Sequence, residues 1–91
     1  MLENLKRDRR ALHQIPELQF DLPKTQTYLL NALCEIGAEA EALSPSGILA
    51  YFDGGKPETA AFRTDMDALP ILEARTGGYA STHPGKMHAC G

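Results

Sequence analysis

The sequence predicts an α/β fold in which two amphipathic helices precede the first strands of a mixed sheet. Three observations support this fold class: two early segments repeat apolar residues at helical spacing, an apolar run of strand length follows them, and a turn separates that run from another apolar segment. The chain has 91 residues, which suffices for one small domain with a modest core and excludes a two-domain enzyme within this length.

Two helices are predicted at the beginning of the chain. The first ends near Gln14, because Pro16 disfavours the helical conformation of the residue before it. The second starts with Pro23 in its first turn and Asp21 as the capping residue, and Gly37 suits the left-handed position at its end. Its apolar face, on which a cysteine packs as a small hydrophobe, carries Leu29, Leu30, Leu33, Cys34 and Ile36.

The strands are predicted after the second helix. Residues 39–43 alternate weakly and resemble an edge strand, whereas residues 48–52 form a continuous apolar run. A turn at 53–57 is expected to return the chain, so that residues 59–63 pair with that run as a hairpin. The aromatic residues expected in the core are Tyr28, Tyr51 and Phe52.

The composition excludes several function classes. The net charge is −3 and the isoelectric point is near 5.5, so the chain offers no basic field for a nucleic-acid backbone. No apolar run approaches the roughly 20 residues of a membrane helix, and the charged N-terminus predicts no signal peptide. The two cysteines, Cys34 and Cys90, form no CxxC pair. The expectation is a soluble protein in the reducing cytoplasm.

Two carboxylates, Asp65 and Asp67, follow directly on the predicted strand at 59–63. Ligands and catalytic groups collect at the carboxyl ends of strands in open α/β sheets, and a spacing of two places both side chains on one side of an extended segment. A solvated turn in which aspartates cap local amides explains the same residues. The spacing alone leaves both interpretations open.

His88 and Cys90 form a second cluster near the end of the chain. Imidazole and thiolate suit zinc or a similar metal, and both can reach one side of an extended segment. A catalytic zinc needs three protein ligands, whereas this cluster supplies at most two. An incidental pair of residues is therefore the alternative.

The other polar candidates have simpler interpretations. His13 lies near the end of the first helix, where a cation complements the helix dipole. His83 has no partner in sequence and is expected in a surface loop. Arg9 and Arg10 are expected on a solvated helix face, since acidic residues interrupt the basic run.

Three stretches of the chain carry a more specific signal than any single cluster. They are residues 9–18 (RRALHQIPEL), 62–70 (FRTDMDALP) and 83–91 (HPGKMHACG). Together and in this order they resemble the M20 metallopeptidase family, in the amidohydrolase branch that includes hippurate hydrolases, N-acyl-amino-acid deacylases and auxin-conjugate hydrolases. The resemblance implies that residues 1–91 are the N-terminal part of a zinc-peptidase-like catalytic domain, without the family's smaller dimerisation domain.

The resemblance also implies roles for particular residues. Cys90 matches a metal-ligand position with a plausible bridging role, and Asp65 matches the aspartate that orients a ligand histidine beside the metals. Asp67 and His88 match the motifs in support roles. Arg63 stands where other branches of the family have a histidine ligand, so it is not expected to bind metal. The family's remaining ligands and its glutamate general base are expected beyond this chain.

The implied reaction is metal-assisted hydrolysis of the amide bond of an N-acyl amino acid. Two divalent ions, drawn from Zn, Mn, Co and Ni, would polarise the acyl carbonyl and activate a water molecule. The full-length parent is expected to be a homodimer that acts on this small molecule. The isolated 91 residues are expected to be inactive, to expose apolar surface and to hold metal poorly.

Two other function classes stay open at this point. A non-catalytic module would serve as a binding or assembly piece, and the incomplete ligand set favours it. A thiol-based redox protein would use Cys90, but no resolving cysteine lies near it in sequence.

Overall fold

The computed structural model describes residues 1–90 and contains two helices followed by an antiparallel hairpin. The order of helix, helix and strands is confirmed. Gly91, the last residue of the third stretch, lies outside the described residues. The elements are α1 (Leu2–Gln14), α2 (Pro23–Glu35), β1 (Glu39–Leu43) and β2 (Gly47–Tyr51).

Helix α1 is amphipathic, but most of its apolar side chains are exposed to solvent. Leu2 and Leu5 are 64% and 60% exposed, and His13 is the buried residue of the helix. The helix ends where the N–H of Ile15 donates to the carbonyl oxygen of Leu12 at 3.1 Å. The predicted end at Gln14 is therefore confirmed.

Helix α2 is capped by a side chain that lies outside it. Its own N-cap residue makes no side-chain hydrogen bond. Instead Oε1 of Glu17 accepts the N–H of Thr25 at 2.7 Å, and Oε2 accepts the N–H of Lys24 at 3.2 Å. A carboxylate at this end also complements the helix dipole. The prediction of Asp21 as the cap is wrong, because the chain folds back and brings Glu17 over the first turn.

The end of α2 follows the prediction from Gly37. This glycine has a φ of 79°, and its N–H donates to the carbonyl oxygen of Cys34 at 3.0 Å. The next N–H, of Ala38, reaches the carbonyl oxygen of Leu33 at 3.0 Å. This pair of bonds is the Schellman arrangement, which satisfies the last helical carbonyls and turns the chain towards the hairpin.

The hairpin pairs β1 with β2 in an antiparallel register that places Ala40 opposite Ala50 and Ala42 opposite Ile48. The side-chain amide of Gln26, on α2, donates to the carbonyl oxygen of Gly47 at 2.9 Å. The helix therefore packs on the hairpin and also holds the start of its second strand.

The predicted hairpin between residues 48–52 and 59–63 is wrong. Residues 59–63 form no strand, and the run at 47–51 pairs instead with the segment immediately before it. Neighbouring segments joined by a short turn pair most readily, which favours β1 as the partner. Phe62 is consequently 98% exposed.

Several residues predicted in the core lie at the surface. Tyr51 and Phe52 are 50% and 62% exposed, and the thiol-bearing residue Cys34 is exposed on α2. The physical reason is that α2 and the hairpin cover each other on one side only, so the other apolar positions lack neighbours. The expected exposure of apolar surface is confirmed. Within residues 1–90 no helix is long and apolar enough to cross a membrane.

A side-chain hydrogen bond between the two helices leads to a pH-dependent prediction. The Tyr28 hydroxyl donates to Oδ1 of Asp8 at 2.8 Å, and this bond, together with the neighbouring Arg7, lowers the pKa of the Asp8 carboxyl. A lowered pKa contributes stability above the unfolded value and loses it as the pH falls through the folded value. We expect Tyr28→Phe to raise the pKa of Asp8, measured by carboxyl NMR titration. Tyr51→Phe is the control, and an unmoved Asp8 midpoint in Tyr28→Phe would contradict the assignment.

Candidate functional site

The first and second motif stretches meet at the backbone of Glu17. The N–H of Ala68 donates to the carbonyl oxygen of Glu17 at 2.7 Å, and Leu18 forms an isolated parallel bridge with Ala68. Ala68 is also one of the few buried apolar residues, at 4% exposure. The position of Asp67, one residue earlier, is therefore fixed against the segment that follows α1.

The third stretch and the residues just before it rest on the same segment. Gln14 presents its carbonyl oxygen to Thr82, which donates its N–H at 3.0 Å and its hydroxyl at 2.6 Å. Nδ1 of His83 donates to the carbonyl oxygen of Pro16 at 2.7 Å. We call residues 13–17 the anchor segment, because both later stretches are bonded to it.

His83 differs from its prediction as a surface-loop residue. It is half-buried, and its two ring nitrogens have different partners. Nδ1 faces the Pro16 carbonyl, which requires a hydrogen on that nitrogen, and Nε2 lies 3.4 Å from Nζ of Lys24, which can donate to it. The ring therefore contacts the anchor segment through one nitrogen and α2 through the other.

The second and third stretches are joined directly by a short antiparallel bridge. The N–H of Leu69 donates to the carbonyl oxygen of Met87 at 3.0 Å, and the reverse bond is also 3.0 Å long. In an antiparallel pair the two segments run in opposite directions, so the residues before Leu69 lie alongside the residues after Met87. The segment that carries Asp67 and the one that carries His88 thus leave the bridge in the same direction.

The two aspartates lie in the open part of this arrangement. Asp65 and Asp67 are both exposed. Oδ1 of Asp65 accepts a hydrogen bond from Nη2 of Arg63 at 2.8 Å, and the two side chains are 70% and 85% exposed. Arg63 therefore contacts the Asp65 carboxylate at the surface.

His88 and Cys90 lie on the other segment. Cys90 is an exposed free thiol, whereas His88 is half-buried and its Nε2 has no hydrogen-bond partner among the described residues. Burial lowers the pKa of His88, with a smaller contribution from His13, while Asp67 acts in the opposite direction. The neutral imidazole that this favours is the form that binds metal ions.

The described residues include donor types that suit a divalent metal ion, but too few of them lie close together to hold one. Thiolate, imidazole and carboxylate are the donors that Zn and its neighbours prefer. Within residues 1–90, however, no three His, Cys, Asp or Glu side chains are close enough to hold one ion. The described residues by themselves therefore do not present a three-donor metal site.

Sequence reasoning missed a largely buried polar contact in this region. His13, predicted as a cation at the end of the helix, lies at 6% exposure, and its Nε2 is 3.0 Å from Oε2 of Glu73. The position of His13 next to Leu12 on the apolar stripe is a signal that could have indicated burial. Nothing local marks Glu73, because its partner lies 60 residues away in sequence.

Curated bacterial proteins match the chain over its whole length. An N-acetyldiaminopimelate deacetylase of Oceanobacillus iheyensis is 49% identical over 94 residues, which cover 100% of this chain and 25% of that protein. The deacetylase of the same name from Leuconostoc citreum is 50% identical over 96 residues, covering 98% of this chain and 24% of that protein. The chain thus spans about a quarter of the length of these relatives. No protein-family model matches the sequence.

Solved structures contain the same arrangement of elements. A dinuclear metal-binding peptidase of the M20 family from Bacillus subtilis matches with a TM-score of 0.89 and 35% identity, over 97% of this chain and 26% of that one. This chain is therefore similar to the N-terminal quarter of an M20 peptidase. A second crystal structure, of a protein from methicillin-resistant Staphylococcus aureus, matches the chain with a TM-score of 0.87 and 41% identity, covering 97% of this chain and 24% of that one.

These matches confirm the resemblance carried by the three stretches and the α/β fold class. The structure adds that these stretches, far apart in sequence, are bonded to one another around the anchor segment. The individual roles of Asp65, Asp67, His88 and Cys90 stay predictions.

Proposed function

We propose that this chain is the first part of the catalytic domain of a metal-dependent amidohydrolase of the M20 family, with residues 1–91 inside that domain and the smaller dimerisation domain elsewhere. The observation that carries the proposal is the bridge between Leu69 and Met87, from which the aspartate segment and the histidine–cysteine segment leave in one direction. Its relatives named as deacetylases support hydrolysis of an N-acyl bond. We place the protein in the cytoplasm, where exposed thiols such as Cys34 and Cys90 stay reduced, and infer a homodimer.

The substrate that this account favours is an N-acetylated amino acid, with N-acetyldiaminopimelate as the first candidate because two relatives are named for it. Hippurate-like N-acyl amino acids form the wider class. Of the described residues, Cys90 would hold a divalent ion, with His88 and Asp67 in support. Two such ions, from Zn, Mn, Co and Ni, would polarise the acyl carbonyl and lower the pKa of a bound water.

Asp65 acts in this proposal as the carboxylate that orients a ligand from another part of the protein. Its present partner, Arg63, is held by an exposed ion pair, and such pairs contribute less than about 1 kcal/mol. The Asp65 carboxylate can therefore exchange Arg63 for a ligand histidine at little cost. Arg63 then remains beside the site as a positive charge.

The proposed activity is tested by hydrolysis of N-acetyldiaminopimelate and hippurate with manganese present. We expect the full encoded protein to release acetate from the first substrate, and chelation to abolish that release. The 91-residue chain alone should release none, because residues 1–90 hold no three donors together. Turnover by the 91-residue chain, or turnover by the full protein that survives complete chelation, would contradict the proposal.

A further inference from the structure

A hydrogen bond between two side chains of low exposure ties the end of α1 to the part of the chain that leads to Cys90. Nε2 of His13 lies 3.0 Å from Oε2 of Glu73, and the two side chains are only 7% and 6% exposed. Removing polar groups from water costs free energy unless they have hydrogen-bond partners. The remaining polar atoms of the pair therefore need contacts of their own.

Those contacts continue from Glu73 into the third stretch. Oε1 of Glu73 accepts the N–H of Ser81 at 2.7 Å. The Ser81 hydroxyl lies 2.8 Å from the carbonyl oxygen of Lys86 and 3.0 Å from that of His83. Lys86 immediately precedes Met87, the residue that bridges to Leu69. A continuous chain of hydrogen bonds thus runs from α1 to within four residues of Cys90.

An aromatic ring packs against the His13 side of this pair. The Tyr79 ring meets the His13 ring edge-on, with the ring centroids 6.0 Å apart and an interplanar angle of 78°. On Tyr79 lies the guanidinium of Arg10, whose central carbon is 5.0 Å from the ring centroid. This cover limits water at the pair, which strengthens its electrostatic attraction.

The charge state of Glu73 agrees with this geometry. The N–H of Ser81, followed by the bond from His13, lowers the pKa of the Glu73 carboxyl. An ionised carboxylate only accepts hydrogen bonds, so Nε2 of His13 must carry the hydrogen that joins them. Both oxygens of Glu73 are therefore used, one towards α1 and one towards the third stretch.

We propose that His13 and Glu73 are positioning residues that hold the His88–Cys90 segment in register with the aspartate segment. This inference rests on the proposed function, in which Cys90 binds a metal ion. Apolar side chains of similar volume could fill the same space and stabilise the fold equally well. What the pair adds is a fixed orientation, because both carboxylate oxygens have directional partners.

The test compares Glu73→Ala and Glu73→Gln with the wild type in the full encoded protein. Glu58→Ala, at an exposed position, is the matched control. The first readout is amide hydrogen exchange at Ser81 and Met87 relative to the β1–β2 hairpin. The second is the affinity for cobalt, followed by the charge-transfer absorption of a cobalt–thiolate bond.

We expect Glu73→Ala to speed exchange at Ser81 and Met87 by about tenfold or more while the hairpin stays unchanged. Cobalt affinity should fall by about 10- to 100-fold, the range for groups that orient metal ligands. Glu73→Gln should show smaller effects, because its amide oxygen can still accept the Ser81 N–H. Should Glu73→Ala fail to fold, His13→Gln provides the same comparison with the Ser81 bond intact.

Equal acceleration of exchange in the hairpin would overturn the proposal, since it would show a general loss of stability. Cobalt affinity equal to that of Glu58→Ala would overturn it as well. A wild-type protein without a cobalt–thiolate band contradicts the proposed function instead. In that case the exchange pattern still decides whether the pair holds the segment.

Discussion

Replacing Glu17 with alanine is expected to lower the free energy of unfolding by about 3 kcal/mol. Glu17 is 7% exposed, and its carboxylate accepts the N–H groups of Lys24 and Thr25 at the first turn of α2. Alanine leaves both donors without a partner, and Thr25 is buried at 2% exposure, where water cannot replace the lost bond. For a domain of this size the loss corresponds to a fall of roughly 12–24 °C in Tm.

The measurement is thermal and urea unfolding of Glu17→Ala, Glu17→Gln and the control Glu58→Ala. Glutamine keeps one acceptor oxygen, so its effect should lie between those of alanine and the control. Glu17 is not the cap if the free energies of unfolding of Glu17→Ala and Glu58→Ala differ by less than about 0.5 kcal/mol, the range of ordinary surface substitutions.

Cys90→Ser is expected to lower kcat/KM of the full encoded protein for N-acetyldiaminopimelate by more than about a hundredfold. Removal of a group that only orients a metal ligand already lowers metal affinity or activity by about 10- to 100-fold, and Cys90 is proposed as a ligand itself. Serine has nearly the same size but is a far weaker ligand for soft and borderline metals. The fold should be unaffected, because Cys90 is exposed.

Cys34→Ser is the matched control for this experiment. Cys34 is also an exposed free cysteine, but it lies on α2 and in none of the three motif stretches. Its replacement should leave kcat/KM within about twofold of the wild type. Equal losses in the two variants, or full activity of Cys90→Ser, would refute the assignment of Cys90.

The helices could be predicted from sequence because their signals are local. The end of α1 at Gln14 follows from Pro16, and the end of α2 follows from Gly37. The cap of α2 could not be predicted, because the carboxylate of Glu17 reaches it through a turn of the chain. Asp21 has the right residue type, but it lies one residue before the N-cap position, which Leu22 occupies.

The sheet was predicted less well for a related reason. Apolar runs indicate where strands form but not which segment each strand pairs with. The run at 47–51 pairs with β1, and residues 59–63 remain without a partner among residues 1–90. Phe52 and Phe62 are therefore exposed, although phenylalanine is a residue type that is usually buried.

In the candidate site too, the residue types could be predicted from sequence, whereas their contacts could not. Asp65, Asp67, His88 and Cys90 could be selected from sequence as candidates, because their residue types and spacing suit a metal site. The contacts that organise them could not be selected, since they join the anchor segment to backbone and side chains about 50 to 70 residues away. Long-range pairs of this kind leave no local pattern.

The proposal that Cys90 supplies a metal-binding thiolate can be tested directly. The most direct measurement is the near-ultraviolet absorption of the full encoded protein after replacement of its metal by cobalt. The account predicts a sulfur-to-cobalt charge-transfer band that disappears in Cys90→Ser and persists in Cys34→Ser. A cobalt-loaded protein without such a band, or a band that persists in Cys90→Ser, would contradict it.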